Sequence, residues 1–390
     1  MAGLYIHIPF CKSRCIYCSF YSTTCHELME PYVDALLLEM TMRAQQESPL
    51  IDTVYLGGGT PSQLPTGLLC KLFQHIYKVY NVSDSAEITI ECNPDDVSAD
   101  YAAELATLPV NRVSMGAQTF SDERLRFLRR RHTARQVEEA VGQLRRNGLH
   151  NISVDLMYGF PEQTLSAWNA DIDAALKLNV EHISAYLLTY EEGTPLYRMR
   201  LDGNSFPPDD EETERQMYET LIDRLEDAAF EHYEISNFAR LSPPAQHGNS
   251  PSAFRSRHNS SYWHDVPYIG IGAAAHSYDR QTRSWNYADL TRYTECLLRG
   301  TRPTEGEERL DETTRYNDLI TTALRTREGI SLQRLAHDFR PFYTDHLLSC
   351  AQRSISRGLL AAEYGRLHLT RQGLFVSDDV MSDLICIAED

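Results

Sequence analysis

The sequence predicts an α/β protein: a parallel sheet of six strands wrapped by helices, followed by a smaller α+β module. Three observations predict it. Short apolar runs alternate with amphipathic stretches six times before about residue 190, the pattern that builds βαβ units. The apolar runs mix Val, Ile, Leu and Ala with little strict alternation, as strands covered on both faces do. Beyond about residue 300 the order changes to helices followed by two short strands.

Taken in order, the strand candidates are Leu4–Ile8, Thr53–Leu56, Glu87–Glu91, Arg112–Gly116, Ile152–Met157 and His182–Leu188. Helical periodicity falls between them at Pro31–Gln45, Gly67–Val79, Ala99–Leu105, Ala134–Arg146 and Leu165–Leu178. An acidic, Pro-containing connection at 202–214 leads into a helix at Glu214–Ala229, and Leu241–Arg257 reads as a loop rich in Ser, Pro and Asn. Helices at Asp311–Arg325, Leu332–Phe339 and Asp345–Arg357 precede a hairpin of Leu359–Tyr364 and Leu367–Thr370 around Gly365. Helices followed by a β-wing suggest a winged-helix-like module. The expected units are therefore a core at 1–235, a closing region at 236–300 and an accessory domain at 301–390. Periodicity alone leaves the core open between a partial (β/α) barrel and a doubly wound sheet.

The 390 residues carry a formal charge of −18, with 37 Lys and Arg against 55 Asp and Glu. Affinity for nucleic acid rests on neutralising phosphates with cations, so no nucleic-acid partner is expected, and the winged module is read as structural or partner-binding. No run approaches the roughly 20 apolar residues that cross a bilayer, and the start lacks a signal-peptide pattern. A cytoplasmic location is expected. In that compartment clustered cysteines are more often metal ligands or catalysts than disulfides.

Three of the nine cysteines fall within eight residues, at Cys11, Cys15 and Cys18. Spacings of three and then two residues, just after the first strand, let three thiolates converge on an iron–sulfur cluster. Three ligands leave one iron of a cubane without a protein donor, and an open position is what a metal site needs to bind a substrate. The alternative is zinc, which prefers four ligands in two pairs. Cys25 and His26 lack that pairing.

With these residues in view, YIHIPFCKSRCIYCSF and YLGGGTPS at Tyr55–Ser62 resemble a branch of the radical S-adenosylmethionine (SAM) family. That branch contains oxygen-independent coproporphyrinogen III oxidase and the heme chaperone HemW. The resemblance continues through ECNPDD (Glu91–Asp96), RVSMGAQTF (Arg112–Phe120), SVDLMYGFPEQT (Ser153–Thr164), RHNSSYW (Arg257–Trp263), YIGIGAAAHS (Tyr268–Ser277) and LTRQGL (Leu369–Leu374). It spans nearly the whole chain and implies a partial (β/α)6 radical SAM barrel with a C-terminal accessory domain. It also implies a [4Fe–4S] cluster whose open iron chelates the methionine moiety of SAM and whose electron cleaves the sulfonium C–S bond.

Several positions carry over from the resemblance. Gly58 and Gly59, with Gly57 and Thr60, lie against the methionine amino group, where glycine allows close backbone approach. Glu91, Gln118 and Arg130 match SAM contacts. Asp155 sits in an otherwise apolar strand, where an unpaired carboxylate is costly; a ligand hydroxyl or Arg130 would serve as its partner. For Glu91 and Asp155 a barrel-internal ion pair is the plain alternative. Tyr5 matches a ligand-contacting tyrosine, or is a core tyrosine. Tyr17 packs on adenine or shields the cluster. Gly270–Ser277 closes the adenine side or is a tight packing turn, and His132 lines the site or caps a helix.

Two departures separate the branches. The oxidases carry a fourth cysteine two residues after the third, where this chain has Phe20, and a longer N-terminal extension. Both point to the heme chaperone, as does His258-Asn259-Ser260-Ser261-Tyr262-Trp263. In that reading His258 ligates heme iron as a neutral imidazole with Tyr262 and Trp263 on the macrocycle; otherwise it is a hydrogen-bonding histidine beside two core aromatics. The chaperone reading implies SAM, cluster and heme as cofactors, heme delivery to respiratory membrane proteins, and peripheral association with that membrane. No motif identifies the electron donor. The oxidase, decarboxylating coproporphyrinogen, and a non-catalytic metal-binding module are the alternatives.

Overall fold

Leu4, Ile6 and Ile8 leave the first strand on one face and are fully buried, while Tyr5 and His7 leave on the other, Tyr5 against Tyr55 of the second strand and His7 against Tyr5 and Tyr21. Both faces are covered, which is why the apolar run does not alternate. A computed structural model of the chain describes residues 1–45, 49–202, 210–241 and 251–387. In it the six expected strands form as β1 (Ala2–Ile8), β2 (Leu50–Gly58), β3 (Asn81–Cys92), β4 (Arg112–Gln118), β5 (Ile152–Tyr158) and β6 (His182–Leu187), parallel and in sequence order.

Helices α1 (Met29–Ala44), α2 (Thr66–Val79) and α3 (Ala99–Leu105) connect the first four strands. A short α4 (Asp122–Phe127), unforeseen in the sequence, precedes α5 (Ala134–Arg146), and α6 (Leu165–Lys177) follows β5. Their starts are chemically encoded. The Ser98 hydroxyl accepts from Tyr101 N, Thr133 and Gln136 form a capping box, and Thr164 accepts from Ala167 N, each satisfying amides that lack an intrahelical partner.

The sheet then grows beyond six strands. After α7 (Pro195–Leu201) and α8 (Glu211–Asp227), the hairpin β7 (Phe230–Glu234) and β8 (Asn237–Arg240) joins β6 antiparallel. Following α9 (Arg257–Trp263), β9 (Tyr268–Ile271) pairs parallel with β1. The antiparallel β10 (His276–Tyr278), β11 (Thr282–Asn286) and, after α10 (Leu290–Leu298), β12 (Thr304–Arg309) extend that edge. Among the described residues twelve strands thus form one open sheet running from β12 to β7. Most of the 202–214 connection and most of the 241–257 loop lie outside the described residues.

The C-terminal part has its own core, built on Tyr316, Ile320, Leu335, Tyr343, Leu347, Leu360 and Leu367. Helices α11 (Glu312–Ala323), α12 (Leu332–Asp338) and α13 (Pro341–Ser356) pack beside a small sheet of β13 (Ile330–Ser331), β14 (Leu360–Glu363) and β15 (Arg366–Leu369). No helix among the described residues is long and apolar enough to cross a membrane.

Candidate functional site

A cavity of about 770 Å³ opens at the C-terminal ends of the parallel strands, the end where barrels of this kind place their chemistry. Cys11, Cys15, Tyr17, Cys18, Gly58, Gly59, Thr60, Glu91, Gln118, Arg130 and Asp155 all line it. Tyr5 and His258 do not.

The cysteine loop is held from outside itself. Cys11 N donates to Thr23 O (2.9 Å), Thr60 N to Phe10 O (2.9 Å) and Leu196 N to Ile16 O (2.9 Å). Ile16 is buried with Leu128, Met157, Phe160, Leu188 and Leu196. Burial pushes the Cys11 and Cys18 thiols up from their ordinary range; a bound cation centre reverses that logic by favouring thiolate. Thr60 Oγ1 donates to Cys11 Sγ (3.5 Å) and Arg130 Nη1 to Cys15 Sγ (3.6 Å), so two thiols already have outer donors of the kind that orient metal ligands. Among the described residues no three His, Cys, Asp or Glu side chains converge on the position of a single ion. The thiolates of a cubane ligate different irons, so they need not converge on one point. The donor set fits an iron–sulfur cluster.

Above the loop, Gly59 N donates to Ile8 O (2.9 Å). A Cβ on Gly59 would lie 2.7 Å from Pro9 C and 2.8 Å from Ile8 O, both backbone atoms. Gly59→Ala is therefore expected to destabilise the apo protein by about 1–3 kcal/mol through overpacking and to lower iron incorporation. Thermal unfolding with iron analysis would check this, and an unchanged melting temperature would contradict it.

The acidic wall is Glu91 and Asp155. Glu91 accepts from Tyr55 OH (2.7 Å) and Gly58 N (3.2 Å). Burial raises it to about 7, against the pull of the Tyr55 hydrogen bond. Asp155 is raised to about 6 by burial, with the Ser184 and Ser114 hydroxyls opposing. Ser114 Oγ lies 3.3 Å from it. Neither carboxylate has an ion-pair partner among the described residues, so Arg130 is not the partner of Asp155: the serines are.

Arg130 has a different task. Its Nη2 donates to Asn93 Oδ1 and to Gly116 O, both at 2.7 Å, tying the ends of β3 and β4 to the cysteine loop. Its Nε is buried without a partner, and such an orphan donor beside an open cavity suits a ligand carboxylate. Gln118 has a left-handed backbone (φ 66°) beside a β-bulge. This turns its amide over Gly116, where a Cβ would sit 2.8 Å from Gln118 Nε2. Asn93 escaped the sequence reading as a site residue; its place two residues after Glu91 at a strand end was the available signal.

The remaining candidates lie elsewhere. Tyr5 contacts His7 Nδ1 (3.0 Å) and stacks near Tyr55 and His258, outside the cavity lining. Gly270–Ser277 forms a tight packing turn beside β1, with no room above Gly270. His132 is buried, bonded to Ala117 O (3.1 Å) and lowered to about 3 by burial.

In this structure His258 is a buried hydrogen-bonding histidine. Its Nδ1 meets Thr53 Oγ1 (2.8 Å), its Nε2 meets Tyr262 OH (2.9 Å), and its ring is buried. An iron bond at either nitrogen would break one of these contacts. The His258 ring stacks on Tyr55, 5.0 Å between centroids, and the Tyr55 hydroxyl donates to Glu91 (2.7 Å), so His258 lies one aromatic ring behind the acidic wall and outside the cavity lining. Glu87 holds it there, accepting from both Arg257 N and His258 N at the start of α9.

Comparison with known proteins agrees with this architecture. Residues 5–175 match the Radical SAM superfamily and residues 310–376 match the HemN C-terminal domain. The chain is 33% identical to heme chaperone HemW of Bacillus subtilis over 97% of its length and 98% of the relative's. It is 32% identical to heme chaperone HemW of Mycobacterium tuberculosis over 98% of its length and 94% of the relative's. In fold it resembles coproporphyrinogen III oxidase (HemN) of Escherichia coli, with a TM-score of 0.84 at 20% identity, covering 98% of this chain and 90% of that one. Near-full-length likeness at this level, on a sheet and cysteine loop of this form, places the chain in the radical SAM family of the heme chaperone HemW.

Proposed function

We propose that this chain is a heme chaperone that binds one [4Fe–4S] cluster on Cys11, Cys15 and Cys18, together with SAM and heme, and delivers heme to respiratory proteins at the membrane. The observation that carries the reading is the shared cavity. Three thiols from one anchored loop, the Gly58–Thr60 segment, Glu91 and Arg130 line one space of about 770 Å³, within the ~300–1,000 Å³ range of drug-sized ligand sites. When bound, the cluster supplies one electron and an open coordination position.

The protein's own groups then divide the work. Glu91 takes the methionine ammonium of SAM, Arg130 Nε its carboxylate, and the glycines at the end of β2 let backbone approach. Tyr17 covers the cluster from inside the loop. Phe20, strongly exposed beside Cys18, stands where the oxidases carry a fourth cysteine, which favours the chaperone over the oxidase.

Anaerobic reconstitution followed by paired assays tests the proposal. Saturable heme binding in absorbance titrations, with no protoporphyrinogen formed from coproporphyrinogen and SAM, is the expected result. Turnover of coproporphyrinogen would reinstate the oxidase.

A further inference from the structure

The cavity is lined by residues from both cores. Tyr186 and Ser236 come from the barrel, Leu374, Phe375 and Arg325 from the C-terminal part. Arg325 is fixed there by backbone. Its carbonyl accepts from Ile235 N (3.0 Å), Arg327 N donates to Tyr233 O (3.0 Å), and Thr326 bridges to Glu234. The turn after α11 is thus stitched to the β7–β8 hairpin beside the opening.

The Arg325 side chain is unusual for a cation in such a place. Its Nε is buried without a hydrogen-bond partner, and no ion pair joins it to Glu234, Glu191 or Asp378 among the described residues, although Glu234 feels its charge. The guanidinium lies over the Trp263 ring, 5.0 Å from its centroid. An aromatic face orients and retains a cation without neutralising it. Trp263, the last residue of the HNSSYW segment, therefore holds an arginine at the cavity wall. Arg325 is half-buried at the cavity wall, where a guanidinium without an ion-pair partner pairs well with a carboxylate, and Leu374, Phe375 and Tyr186, which line the same cavity, present apolar and aromatic surface.

We infer that Arg325 anchors a carboxylate of the heme, taking the propionate edge of the macrocycle to this wall of the cavity. This rests on the heme reading above. It gives HNSSYW a role at one remove: His258 and Tyr262 lock α9 into the barrel, and Trp263 positions the arginine.

Titration of the reconstituted protein with heme and with heme dimethyl ester, in which the propionates carry no charge, separates the possibilities. Wild type is expected to prefer heme by about tenfold or more, as loss of a charge-assisted hydrogen bond implies. Arg325→Gln is expected to bind the two alike, with cluster absorbance, SAM binding and circular dichroism unchanged, and Arg325→Lys to keep part of the preference. Equal binding of both ligands by wild type, or wild-type preference in Arg325→Gln, would overturn the anchor while leaving heme binding intact. Failure of wild type to bind heme at all would overturn the heme reading, and the anchor with it.

Discussion

Replacing Cys11, Cys15 or Cys18 singly with alanine is expected to abolish the iron–sulfur absorbance and, with it, SAM binding, while the protein stays folded. The expectation of a folded variant follows from how the loop is held. Ile16 is fully enclosed by Leu128, Phe160 and Leu196, and backbone hydrogen bonds to Thr23, Leu128 and Leu196 fix the path of the chain. None of these contacts uses a thiol, so removing one sulfur leaves the loop's own scaffold intact. The cluster has no such redundancy. With three thiolates one iron is open; with two, a second loses its protein donor. Cys25 is exposed and lies outside the cavity, so Cys25→Ala serves as the control and should keep both signals. Retention of absorbance and SAM affinity in any of the three variants would remove the foundation of the functional reading.

Glu91→Gln is expected to weaken SAM binding at least about tenfold and to remove its pH dependence. In the free protein Glu91 is raised to about 7 by burial, so below that pH it is neutral and offers no charge to an ammonium group. Wild-type affinity should rise as pH increases from about 6 to 8, because the ionised form is the one that binds. Stability runs the other way. A carboxyl whose folded value lies above its ordinary 4.5 holds its proton more tightly in the folded state, so the apo protein loses stability as pH rises from about 4.5 to 7. At ~1.36 kcal/mol per unit, the loss is on the order of 3 kcal/mol. Glu91→Gln should flatten that slope in pH-dependent unfolding. An unchanged slope together with unchanged SAM affinity would place Glu91 outside the binding machinery. The opposition is physically coherent: the apo fold tolerates a poorly solvated carboxylate whose charge is useful only with a ligand present.

Much of this was legible because the signals are local. The spacing of Cys11, Cys15 and Cys18 needs no tertiary information. Ala99–Leu105 and Ala134–Arg146 appear with the bounds their periodicity predicts, since Ser98 and Thr133 cap them from the neighbouring position. Strand starts at Arg112, Ile152 and His182 were likewise visible as apolar runs. By contrast, the extension of the sheet through β7–β8 and β9–β12 depends on which distant edges meet. Short, polar strands such as Thr304–Arg309 carry little pattern to announce that.

By itself the sequence determined the parallel α/β core, the cysteine loop at the end of its first strand, and the glycines, Glu91, Gln118 and Asp155 at or near the ends of the next four. Only the tertiary structure decided what faces what. Imidazole is chemically able to be a ligand, but only the fold shows that Thr53 and Tyr262 hold the His258 ring behind Tyr55 while Glu87 accepts from its backbone N–H. Arg325 looked like the end of a helix, yet the hairpin 90 residues earlier draws it to the cavity wall. The reason is common to both. Residue type limits the bonds a side chain can make, but burial and long-range strand pairing decide which of those bonds are made.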